Sequence, residues 1–193
     1  WAVEVPAGSR DLQRVEGDKL LVSHANGAAE YELSTGRKGA WAGDRYAQVS
    51  SAWRMADGHT LLGANVAAGI AVYELDRGGQ QTGERLLKGL RDLRLLRPLE
   101  NGNLLLTVSG PCRAVEVDRH GAIVWQAPLP DKGYKAIRLP DGNTMASTGG
   151  AATVIEVDPS GRTVFTAGGK AAHPNLGLEW FSGFDLLPNG QVM

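Results

Sequence analysis

Two short markers recur along this 193-residue chain with one shared period, and that repetition constrains the fold more than any other feature. The first is a glycine turn, read in "MADGHT", "PLENGNL", "LPDGNT" and "LLPNGQV" and centred on Gly58, Gly102, Gly142 and Gly190. Its gaps are 44, 40 and 48 residues, and a weaker copy at Gly17 lies 41 residues before Gly58. The second marker is a strand end in "YELSTG", "YELDRGG", "VEVDRHG" and "IEVDPSG". Its glutamates Glu32, Glu74, Glu116 and Glu156 are spaced 42, 42 and 40 residues. Two independent markers in step, at a period of about 40–45 residues with several strands per unit, are the signature of propeller blades.

Each unit reads as four antiparallel strands, A to D. Asp-Gly and Asn-Gly favour the positive φ angles of a two-residue hairpin, which places one turn between A and B. "HTLLGAN" and "NLLLTVS" leave that turn as apolar runs, and "IAVYELD", "RAVEVD" and "TVIEVD" follow with period-two alternation. Asp76, Asp118 and Asp158 then stand three residues before Gly79, Gly121 and Gly161. An Asp side chain that bonds the backbone ahead of a left-handed Gly makes the C–D turn. The nearest approach to a helix, "ERLLKGLRDLRLL" at 84–96, falls in phase as strand D, a loop and strand A.

The expected architecture is therefore all-β: a β-propeller of four-stranded antiparallel blades at about 10–46, 47–89, 90–131 and 132–172. Residues 1–8 read as an orphan strand D and 176–193 as a partial blade, about 4.5 blades in one propeller domain. A chain that stops inside an apolar strand leaves backbone groups unpaired, so the expectation is a fragment of a six- to eight-bladed propeller. Four residues after their turn glycines, Trp125 and Phe165 are expected to be buried between adjacent blades.

Composition narrows the function. A net charge of −1 gives no general attraction to nucleic acid, and no apolar run approaches the roughly 18 residues of a membrane span. Cys112 is the only cysteine, and none of the four histidines has metal-ligand spacing, so no metal or other cofactor is expected.

The pair "RLPDGNT" and "VIEVDPSGRTVF" resembles the bacterial PQQ-like, NHL-like and arylsulfotransferase-like propeller superfamily, whose blades carry "LPDGN" and "EVDxxGxxVW" elements. The likeness spans roughly residues 10–193. In the quinoprotein type of blade a tryptophan docks neighbouring blades. Trp125 in "HGAIVW" matches it, Phe165 replaces it, Trp41 comes one residue late and Gly83 stands where the second blade's aromatic belongs. The resemblance implies export, hence a periplasmic or extracellular location.

Candidate site residues follow from where a propeller binds, at the B–C turns and D–A loops. Seven residues after each turn glycine come His24, Asn65, Ser109 and Gly149, a ring of polar groups at the end of strand B. The D–A loops add Arg45, Tyr134, Lys135, His173 and Trp180, and the loop at 168–183 is the longest. Donors, positive charge and aromatic rings together suit a small polar, anionic or sugar-like ligand, or a protein partner. His24 and His173 are the acid–base candidates, whereas His59 and His120 read as solvated turn residues. No catalytic residue is assigned. The expected function is a non-catalytic binding module. The alternative is a propeller enzyme of the quinone-dependent dehydrogenase, sulfotransferase or lyase type.

Overall fold

A computed structural model describes residues 4–187 and 191. Sixteen strands and one short 3-10 helix, Pro174–Leu176, make up the described regular structure. The strands form four antiparallel four-stranded sheets, each a meander in chain order, the blades of a β-propeller fold. The first sheet is β1 (Leu12–Val15), β2 (Lys19–His24), β3 (Gly27–Glu32) and β4 (Lys38–Gly43). The second is β5 (Val49–Arg54), β6 (Thr60–Val66), β7 (Gly69–Leu75) and β8 (Gln81–Lys88). The third is β9 (Leu93–Pro98), β10 (Leu104–Ser109), β11 (Cys112–Val117) and β12 (Ile123–Pro128). The fourth is β13 (Gly133–Arg138), β14 (Thr144–Thr148), β15 (Thr153–Val157) and β16 (Thr163–Gly168). By packing, the chain divides into two compact units, 1–98 and 99–193.

The turn chemistry is local and repeats in each unit. At the A–B turns of the second, third and fourth sheets the loop has five residues rather than two, and in the first it has three. Met55 N–H donates to the His59 carbonyl (2.8 Å) and Gly58 N–H to the Met55 carbonyl (2.9 Å), with Gly58 at φ +87°. Leu99–Asn103 and Leu139–Asn143 close identically, with Gly102 at +81° and Gly142 at +91°. One left-handed residue suffices in that loop, where a two-residue turn of the mirror-image type needs two. At the fifth copy Leu187 N–H donates to the Gln191 carbonyl, while Gly190 lies outside the described residues. At the C–D turns Asp118 Oδ1 accepts from the His120 and Ala122 amides, and Asp158 Oδ1 from those of Ser160 and Arg162. These bonds hold both carboxyls below the usual carboxylate range, led by the Ala122 amide for Asp118 and the Ser160 hydroxyl for Asp158.

Apolar side chains on the sheet faces build the core. In the first unit Leu21, Ala28, Val49, Ala52, Leu62 and Leu75 cluster between the first two sheets. In the second unit Leu105, Ala114, Ala136, Ala146, Ile155 and Val157 do the same for the strands there. Small residues alternate with large ones, which lets adjacent sheets approach closely. The innermost strands of the first unit are joined by a buried polar network. The Arg97 guanidinium grips Asp11 through two 2.8 Å bonds, and Asp11 also accepts from the Ser51 hydroxyl (2.6 Å) and the Ala52 amide (3.2 Å).

Several expectations are corrected. The described blades number four, not about four and a half, and they lend no support to a six- to eight-bladed count. Residues 4–8 hold no strand, and the described part of 176–193 has only an isolated bridge at Leu186. Phe165 is half exposed, because β16 is a sheet edge with five consecutive exposed residues. Trp125 is half-buried, donating Nε1–H to the Pro159 carbonyl (2.9 Å). His59 is not merely solvated. Its ring bonds Glu74 at 2.9 Å, and that bond raises its pKa.

Candidate functional site

Antiparallel meanders put the B–C turns and D–A loops at the same end of each sheet, and backbone hydrogen bonds tie them there. In the first unit Tyr46 N–H donates to the Asn26 carbonyl (3.0 Å), Val49 N–H to that of Ala25 (3.1 Å) and Asn65 N–H to that of Gln48 (3.0 Å). Between the B–C turn at 66–69 and the loop at 89–92 lies a cleft of about 570 Å³. Its wall includes Gln48, Asn65, Ala68, Gly69, Arg91 and Asp92. Gln48 and Asp92 each stand directly before a strand A with left-handed backbone, φ +54° and +58°. Such geometry in a residue other than glycine is uncommon and gathers at working surfaces. Gly69, at φ +146°, brings its backbone so near β8 that a Cβ would fall 2.4 Å from the Leu87 carbonyl oxygen. Small residues, Ala67, Ala68, Gly69 and Gly89, make up much of the lining.

The predicted residues of this unit have separate situations. Asn65 lines the cleft, but its amide is engaged: Oδ1 accepts from Leu93 N–H (2.7 Å), and Nδ2 donates to Ser50 Oγ (3.0 Å) and the Leu93 carbonyl (3.3 Å). It clamps β6 to β9. Arg45 is exposed in the loop after β4. His24 is buried at the end of β2, where Nδ1 accepts from Asn26 N–H (3.3 Å) and the buried Nε2 has no partner. Burial lowers its pKa, with Lys38 adding to the shift and Asp44 opposing it, so the ring is held neutral.

In the second unit Trp180 meets Tyr134 edge-on, centroids 5.2 Å apart at 76°. Tyr134 and Lys135 belong to β13 rather than to the loop before it. The Lys135 ammonium pairs with Asp185 and lies 5.7 Å from the Phe184 ring centroid, so its charge is committed. Ser109 ends β10 and is half-buried. His173 is exposed, immediately before the 3-10 helix. Sequence reasoning missed Asp131, whose carboxylate accepts from the Ala151 amide at 3.0 Å. It also missed the pair Gly149–Gly150 as the surface beneath Trp180. Two signals pointed there, the adjacent glycines in "STGGAA" and the place of Gly149 seven residues after Gly142. Among the described residues no His, Cys, Asp or Glu cluster could hold a metal ion, and no helix is long and apolar enough to cross a membrane.

No family model matches the sequence, and no curated protein does. Solved structures do match. A Bacteroides caccae protein of unknown function is 17% identical with a TM-score of 0.82, over 100% of this chain and 72% of that one. The WD40 β-propeller domain of Doa1 is 14% identical with a TM-score of 0.68, over 92% of this chain and 57% of that one. A catalytically inactive histidine-to-alanine variant of virginiamycin B lyase from Staphylococcus aureus, solved with quinupristin, is 13% identical with a TM-score of 0.62. There the match covers 96% of this chain and 69% of that one. The chain thus spans between 57% and 72% of the length of these proteins. At such identities the likeness is one of fold, the β-propeller.

Proposed function

We propose that this protein is a non-catalytic propeller binding module that takes a small polar or anionic ligand at the B–C and D–A end of its blades. The cleft of about 570 Å³ carries the reading, because it has the volume of a small-molecule site and a lining of small and apolar residues with a few polar ones. Exposed Arg91 supplies positive charge at the wall, and Asn65, bonded to Ser50 and Leu93, holds that wall in shape. The superfamily resemblance adds a periplasmic or extracellular location to the proposal. Titration calorimetry with sulfate, citrate and glucose tests it, using Ala68→Trp to fill the cleft and Arg91→Ala to remove the charge. Saturable binding of one probe, lost in Ala68→Trp, is the expected result. Equal binding by the wild type and the filled variant rejects the cleft.

One observation favours a second reading, a lyase. His24 is neutral, with a buried ring nitrogen that no protein group satisfies, and one solved neighbour is a lyase inactivated by loss of a histidine. Chromatography of quinupristin incubated with this protein decides it. Conversion that disappears in His24→Ala replaces the binding reading, and unaltered quinupristin removes the lyase.

A further inference from the structure

Trp180 is 48% exposed, yet its ring is held in place. Tyr134 meets it edge-on, and a Cβ at Gly149 would come within 2.8 Å of two indole carbons, so only glycine leaves the ring its seat. Phe181 N–H bonds the Gly149 carbonyl at 3.1 Å and fixes the adjoining chain to the same glycine. A large apolar face kept in water and already immobilised has little ordering entropy left to lose on binding. Beside it, Gly150 stands between the indole and Asp131: a Cβ there would lie 3.8 Å from Trp180 Cζ3 and 2.8 Å from Asp131 Oδ2.

We propose that the Trp180 indole, seated on Gly149 and Gly150 beside the Asp131 carboxylate, is a stacking subsite for one pyranose ring of a neutral saccharide. The face of an aromatic ring is electron-rich, and the C–H edges of a pyranose present the matching positive side. Hydroxyls at the rim of that sugar need acceptors, and Asp131 provides a carboxylate oriented by the Ala151 amide. Backbone amides of Lys132, then Ala151 and Gly150, hold this carboxyl below the usual range, so it stays an acceptor under mildly acidic conditions. Asp131 repels an anionic nucleotide, and the exposed Lys132 beside it disfavours an organic cation. A neutral polyol avoids both conflicts. The subsite belongs to the second unit and stands independently of the cleft in the first, whose filling by Ala68→Trp does not touch it.

The experiment follows the tryptophan indole N–H signals by NMR while maltohexaose, cellohexaose or chitohexaose is added, with Trp180→Phe identifying the relevant signal. The expected result is a saturable shift of the Trp180 signal with at least one of the three. Affinity then falls about tenfold or more in Trp180→Ala, by less in Gly149→Ala, and not at all in Phe165→Ala. Should Trp180→Ala fail to fold, the wild-type titration with Gly149→Ala decides alone. The proposal is overturned if no saccharide moves the Trp180 signal at millimolar concentration. It is equally overturned if adenosine monophosphate or tetramethylammonium binds there more tightly than every saccharide.

Discussion

One Arg–Glu–Trp bracket recurs in both compact units, built from different supports. In the first, Arg54 donates to Glu30 (3.0 Å) and lies 4.6 Å from the Trp41 ring centroid. In the second, Arg138 donates to Glu116 (2.7 Å) and lies 4.7 Å from the Trp125 centroid. Both arginines end a strand A, and both glutamates are buried on the strand C of the sheet before it. The supports differ. Glu30 takes a second cation, Lys19 at 3.0 Å, whereas Glu116 takes the neutral amides of Asn101 (3.1 Å) and Asn103 (2.7 Å). Trp125 donates to the Pro159 carbonyl, and the buried Trp41 Nε1–H has no partner. A repeat therefore preserves an interaction rather than a residue list. Ion pair and stacked ring recur because an arginine facing a neighbouring sheet requires both to be buried at tolerable cost.

Removing the carboxylates tests that equivalence most severely. Glu30→Ala and Glu116→Ala are each expected to lower stability by about 3 kcal/mol in urea unfolding, since each strands a largely buried guanidinium. Glu30→Ala should cost the more of the two, because two cations lose their partner. Losses under about 1 kcal/mol in both variants would show that the brackets do not hold the sheets together. The rings separate the two units next. Trp125→Phe should cost about 1 kcal/mol for its bond to Pro159, and Trp41→Phe close to nothing, since it deletes an unsatisfied donor. Equal losses from both would mean that Trp41 has a partner after all.

Acid should distinguish the units as well. The folded pKa of His24 is lowered by burial, so the unfolded chain binds its proton first as pH falls. Stability from this residue is complete above the unfolded value of about 6.5 and is lost as pH drops below it. His24→Gln should flatten that slope in melts between neutral and mildly acidic pH, and an unchanged slope would refute the buried neutral ring. A small effect is also expected from Lys19→Ala, within about 0.5 kcal/mol, because its ammonium end of the pair is partly exposed. A larger loss would make Lys19, not Arg54, the principal partner of Glu30.

Much of the scaffold was legible because its signals are local. The Asp-x-x-Gly turns form as read, and "ERLLKGLRDLRLL" is the end of β8, a loop and β9 despite its helical look. Register was harder. Glu32 fits the period, but the bracket uses Glu30, and the tryptophan that seemed one residue late is the one that stacks. Pairing in the first sheet steps from Ala29↔Ala42 to Tyr31↔Lys38, so β4 carries two extra residues where the other sheets carry one. A bulge of that kind re-aims side chains and is invisible to spacing alone. For the candidate site, composition of the loops was readable but occupancy was not. Nothing near Lys135 in sequence announces Asp185, and Asn65 looks like a ligand donor until Ser50 and Leu93 engage it.

By itself the sequence determined where the chain turns, which segments become strands, and that they repeat as four-stranded antiparallel units. Those outcomes depend on φ preferences, Asx hydrogen bonds and period-two burial, all decided within a few residues. Only the tertiary structure decided that Glu30 faces Arg54, that Trp180 rests on Gly149, and that a cleft stays open between the 66–69 turn and the 89–92 loop. Those outcomes depend on bulges and on close packing between segments far apart in sequence. Whether a polar side chain is free or already bonded follows from its neighbours in space, which no local rule specifies.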